Sequence, residues 1–248
     1  MYFHMIADRK YINSSLIHWT GRAKDQDAAC SILENICREQ ILRLTYCPTY
    51  VQGNFRPRVA MACFTDIPIE HSHEHCAKFG QFGLAFDKKK MIEYGANPVL
   101  YTTGRHLDRV RKLSCLLERM KDLEKDREWR SEVEPYNFAE DETFALLEVL
   151  GLLQEYSYKN DDGTDYVTYL QREWRLTFEV LPFAGGTTEH TPGSSCFYIR
   201  DETTYSVFKF DKSDVEYIIA PAAYKDRASD AASILGCNLR IYEVEVNV

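Results

Sequence analysis

The sequence lacks several things, and each absence excludes a class of protein. None of the eight cysteines (at 30, 37, 47, 63, 76, 115, 196 and 237) stands in a CxxC pair, and their spacing forms no framework. In a chain of 248 residues that predicts reduced thiols in the cytoplasm rather than a disulfide scaffold. No apolar run approaches the length that spans a bilayer, and "MYFHMIADRKYINSS" has no apolar signal-peptide core, so no membrane partner is expected. A basic excess is missing too. With 30 Lys and Arg against 38 Asp and Glu, the net charge of −8 argues against generic binding to phosphate backbones, though not against a local basic patch. There is no internal repeat and no low-complexity stretch.

What is present reads as one α+β domain spanning 1–248, with a mixed or antiparallel sheet. Leu16 to Trp19 predicts a strand stopped at Gly21. "DQDAACSILENICREQILRL" predicts an amphipathic helix capped near Asp25 or Asp27, with Ala29, Ile32, Leu33 and Ile36 on one face. "RVAMACFTDIP" reads as a strand ending at Thr65, after which Asp66 is placed to cap a helix with Pro68 in its first turn and Gly80 at its end. Strands follow at "FGLAFDK" and at Val99 to Thr102. The C-terminal part offers the strands "EWRLTFEVLP", "SSCFYIR" and "VEYIIAP", the helix "YKDRASDAASILG" and a last strand "LRIYEVEV".

The middle of the chain changes character. Residues 105–130 hold nine Lys/Arg against six Asp/Glu, about +3, with Val110, Leu113, Leu117 and Met120 in a stripe. Residues 131–165 hold ten Asp/Glu and one Lys, about −9, and contain the apolar stretch "EDETFALLEVLGLLQEYSY". This predicts a helical pair over 105–157, inserted at about 105–160 and packed on the rim of the sheet.

"HSHEHC" (71–76) crowds three histidines and a cysteine together. His71 and His75 share a helical face, but His73 points away and Cys76 lies beside His75 around the helix. A complete zinc site would need ligands from elsewhere. The expectation is no metal, and a metal-dependent hydrolase is set aside.

The flanks of that cluster say more. "HWTGR", "ACFTDIP", "KFGQFGLAF" and "GANPVLY", resuming at "REWRLTFEV", resemble the AbiGi-type abortive-infection proteins. These are bacterial phage-defence proteins usually described as the antitoxin half of a two-gene system. That family in turn resembles the ADP-ribosyltransferase fold. Carried over to this sequence, the resemblance implies NAD binding by His18, Trp19 and Thr20 on the first strand and by Phe64 and Thr65 on a central one. Glu173 in "QREWR" takes the catalytic slot, and Arg56 or Arg58 the slot of an arginine used by nucleic-acid-modifying members. NAD would be a substrate. A carboxylate near the ribose would stabilise the oxocarbenium-like charge as nicotinamide leaves, a histidine would bond a ribose hydroxyl, and Trp19, Phe64 or Phe79 would stack on the ring.

The resemblance therefore carries two readings. The first is an NAD-dependent ADP-ribosyltransferase of phage defence, acting on a nucleic-acid or protein acceptor. The alternative is a non-catalytic antitoxin or regulator that binds a partner toxin or promoter DNA. The competing assignment for Glu173 is an ion pair with Arg172 or Arg175. Strand alternation is set against it, on the expectation that Glu173 faces away from both.

Overall fold

The computed structural model describes residues 12–22, 24–48, 58–103, 112, 149–159, 163–178, 192–193, 195–200 and 203–243. The first part of the chain gives β1 (Ser15–Thr20), α1 (Gln26–Glu39), β2 (Ile41–Arg43), β3 (Thr45–Pro48) and β4 (Arg58–Thr65). A 3₁₀ turn at Ile69–His71 leads into α2 (His73–Phe79), β5 (Phe82–Asp87), α3 (Lys88–Glu93), β6 (Asn97–Pro98) and β7 (Leu100–Thr102). Short strands β8 (Leu153–Glu155), β9 (Ser157–Lys159) and β10 (Asp165–Val167) follow, then a 3₁₀ turn at Thr168–Gln171 and β11 (Glu173–Phe178). The chain closes with β12 (Ser195–Arg200), β13 (Thr203–Lys209), β14 (Val215–Pro221), α4 (Lys225–Leu235) and β15 (Asn238–Tyr242).

The main sheet has eight strands in the order β15-β14-β5-β1-β4-β11-β6, with β3 also on β4. Its pairs are antiparallel except β14–β15. This is a mixed α+β architecture with few helices among the described residues.

One irregularity organises the molecule. β1 pairs with β5 along its whole length, Ser15 opposite Asp87 through Thr20 opposite Phe82. It meets β4 at one residue pair only, Ile17 opposite Thr65. Beyond that point the strands part, and β3 takes over the same edge of β4 from Met61 to Arg58. The sheet is thus two half-sheets hinged at Ile17–Thr65, with a wedge opening between β1 and β3.

The two faces bury separate cores. On one face, Leu16, Leu33, Ala62, Phe64, Phe86 and Phe210 pack beneath α1 and α4. Phe86 meets Phe64 and Phe210 edge-on, with centroids 5.7 and 5.1 Å apart. On the other face, Ile17, Trp19, Ala85, Tyr217 and Ile219 pack with Cys76 of α2. Gly83 seats the indole: a Cβ there would lie 3.1 Å from Trp19 Cε3.

Several local expectations are corrected by tertiary contacts. α1 is capped by Asp25, whose carboxylate accepts from the Ala28 N–H, but it stops at Glu39. Gln40 turns left-handed (φ 56°), and "ILR" becomes β2, paired with β13. That register was unreadable because β13 lies far along the chain. Asp66 does not cap a helix. Its buried carboxylate receives Lys88 Nζ at 2.9 Å and lies 2.8 Å from an Arg172 guanidinium nitrogen. α2 starts at His73 instead, after the Ser72 hydroxyl donates to the Pro68 carbonyl.

The expected helical pair falls mostly on residues 104–111 and 113–148, which lie outside the described residues. Its far end is corrected. The chain is helical at 149–151, but residues 153–155 and 157–159 are strands, with β8 parallel to β7 and β9 against β10. Backbone pairing there outweighs the helical periodicity of "LLEVLGLLQEY".

Candidate functional site

The wedge between the half-sheets is a cleft of about 530 Å3. Both faces of the sheet reach it because the strands separate there. His18, Trp19 and Thr20 come from β1, Cys63, Phe64 and Thr65 from β4, and Glu173 and Arg175 from β11. Ile32 and Ile36 of α1 close one side, and His75, Lys78 and Phe79 of α2 the other. All six residues expected at a site, His18, Trp19, Thr20, Phe64, Thr65 and Glu173, therefore line one cleft. Arg56 and the Arg58 side chain lie outside what is described.

His18 bridges the parted strands. Its Nδ1 is 2.9 Å from the Cys63 carbonyl oxygen, which can only accept, so Nδ1 carries the proton. Burial lowers the His18 pKa from its ordinary 6.5, more than that hydrogen bond raises it, so the ring is neutral at pH 7. The remaining ring nitrogen is then an acceptor, not a donor. The His18 ring also lies 5.6 Å from Phe64.

Glu173 sits opposite Thr65 across the β11–β4 ladder. Its carboxylate is gripped by Arg175: Nε donates to Oε1 at 2.9 Å and a terminal nitrogen to Oε2 at 3.2 Å. This corrects the expectation that alternation turns Glu173 away from that arginine. Residues two apart on a strand share a face, so 173 and 175 point the same way, and only Arg172 points elsewhere. Arg175 is 5% exposed and spends its other N–H groups on the Gly151 and Leu153 carbonyls and the Gln154 side chain. The guanidinium thereby ties segment 151–154 to the cleft floor while neutralising Glu173.

His75 is the residue that sequence reasoning missed. Its sequence context offers it only as a metal ligand, beside His71, His73 and Cys76. His71 and His73 are exposed, whereas His75 is 8% exposed and lines the cleft. Burial lowers its pKa against the raising effect of a hydrogen bond to the Gln171 carbonyl. The same carbonyl accepts from Thr65 Oγ1 at 2.9 Å. Cys76 faces the core, and burial pushes its thiol up to about 12. No group of three or more His, Cys, Asp or Glu side chains able to hold a metal occurs among the described residues. The signal that could have singled out His75 is its place one turn before Phe79, whose ring it meets at 5.4 Å.

A family model matches residues 31–221, with the description "Putative abortive phage resistance protein AbiGi, antitoxin". The chain belongs to the AbiGi family. The match begins after β1, so His18, Trp19 and Thr20 precede it, while Phe64, Thr65, His75 and Glu173 fall within it. It also crosses the 105–160 region, which holds none of the short motifs. No curated protein and no solved structure matched the chain. No helix among the described residues is long and apolar enough to cross a membrane.

Proposed function

We propose that this AbiGi-family protein acts in abortive infection as an antitoxin that binds its partner toxin, with the cleft serving recognition rather than catalysis. The observation that carries this reading is the Arg175 clamp on Glu173. A carboxylate that stabilises an oxocarbenium-like transition state must present uncompensated negative charge to the ribose. Here that charge is matched by a buried bidentate guanidinium, fixed in turn by Gly151 and Gln154. The family's description as an antitoxin supports the same reading.

A second reading keeps the enzyme: an NAD-dependent ADP-ribosyltransferase-like domain acting on a macromolecule. The meeting of His18, Thr20, Thr65 and Glu173 on one cleft favours it. In that case His18 would accept a hydrogen bond from a ribose hydroxyl, and Glu173 would have to leave Arg175 before acting.

One experiment separates the two. The purified chain is incubated with NAD and released nicotinamide is measured. In parallel, cells expressing the protein encoded by the adjacent gene are tested for growth with and without this chain. The antitoxin reading expects no nicotinamide above the buffer control, together with restored growth and a co-purifying complex. Nicotinamide release that E173Q abolishes, with no rescue of growth, would overturn it.

A further inference from the structure

The cleft is cationic on an acidic protein. Among the described residues, Arg22, Arg43, Lys78 and Arg175 line it against one carboxylate, Glu173, although the chain as a whole carries −8. Arg175 and Glu173 cancel each other. Arg22 is exposed and Lys78 half-buried at the mouth, and neither has an ion-pair partner among the described residues. They rest on aromatic faces instead: Lys78 Nζ lies 3.6 Å from the Tyr166 centroid, and Arg22 Cζ lies 5.9 Å from that of Phe79. Ile17, Ile32, Ile36 and Met61 make the rest of the wall apolar. Trp19 also lines the cleft; it is 8% exposed, and its indole N–H is buried with no hydrogen-bond partner among the described residues.

We propose that this cleft takes an Asp or Glu side chain flanked by apolar residues, presented by a segment of the partner protein. The inference rests on the antitoxin reading and names the chemistry of what is recognised. Cations at the mouth attract the carboxylate, and the isoleucine wall takes its apolar neighbours. The net charge of −8 disfavours non-specific contacts with the same acidic segment, and the cleft's cations fix its docking register. A phosphate ligand fits less well. Phosphate sites are commonly built from helix N-termini and runs of backbone N–H groups, whereas α2 turns its C-terminal end, Lys78 and Phe79, toward this cleft.

Random peptides displayed on their encoding mRNA are selected against the full chain and against the R22E/K78E variant. The wild type is expected to enrich Asp or Glu next to Leu, Ile or Phe. A synthetic consensus peptide should bind about tenfold more weakly when its acid is changed to the amide, and about tenfold more weakly to the variant. Its affinity should fall as salt is raised. If R22E/K78E does not fold by circular dichroism, R22Q/K78Q takes its place. A neutral or basic consensus, no consensus, equal binding to the variant, or binding of ADP without any peptide consensus would each overturn the proposal. These failures differ from failure of the antitoxin reading, because growth rescue without an acidic consensus leaves a toxin binder that docks elsewhere.

Discussion

Replacing Arg175 by Met removes the cation buried between Glu173 and segment 151–154 while keeping much of the side-chain volume. The guanidinium side chain is 6% exposed and the Glu173 side chain 14% exposed, so water reaches neither freely. The variant leaves a carboxylate without its counter-charge and deprives the Gly151 carbonyl and Gln154 Oε1 of donors that now sit at 2.6 Å. Breaking a buried pair from one side costs about 3–5 kcal/mol, a large part of the roughly 5–15 kcal/mol that holds a domain folded. At about 2–4 °C per kcal/mol for a chain of this size, the melting temperature should fall by roughly 6–20 °C. Glu173→Gln keeps the shape and loses one charge-assisted contact, about 1.5–3 kcal/mol. The double variant should cost less than the two single changes together, since no lone charge stays buried. Urea denaturation followed by tryptophan fluorescence measures all four proteins. A single R175M variant within about 1 kcal/mol of wild type, or a double variant additive to about 0.5 kcal/mol, refutes the clamp.

Burial depresses the pKa values of His18 and His75 in the fold. In the unfolded chain they titrate near 6.5, so below that pH the unfolded state binds more protons and stability falls; above it stability is flat. Urea midpoints taken from pH 8 to pH 5 should therefore decline only on the acid side, less steeply in H18N, and an equal decline in that variant contradicts the assignment. Gly80→Ala should cost about 3 kcal/mol or more, because φ is +108° and the new Cβ would lie 2.1 Å from the Thr20 carbonyl oxygen. A thermal melt unchanged by this substitution would show that α2 does not close on β1 as described. A chelator should leave the melting temperature unchanged, and a fall accompanied by release of one zinc per chain would reinstate a metal at 71–76.

Much of the fold was legible along the chain because its cues are local. Asp25 at the start of α1, Gly80 at the end of α2 and the apolar run "FGLAFD" of β5 depend on neighbours a few residues away, and those three features fall where the local cues put them. Errors came where a distant strand competed for the backbone. β13 drew residues 41–43 out of a helix, β7 and β10 drew 153–159 into strands, and Lys88 with Arg172 took the Asp66 carboxylate from its capping role.

The site divides in the same way. Short motifs by themselves pointed to His18, Trp19, Thr20, Phe64, Thr65 and Glu173, which line one cleft, and placed the chain near the AbiGi proteins. They could not show that β1 and β4 share a single residue pair and then part, which is what makes a cleft out of a sheet. Nor could they show that His75 turns inward while His71 and His73 stay in solvent. The state of Glu173 was decided only in three dimensions. The sequence supplies a carboxylate and an arginine two positions on. Burial of that pair beneath segment 151–154 is what removes water, locks the two charges together and leaves the cations at the mouth to set the electrostatics of the cleft.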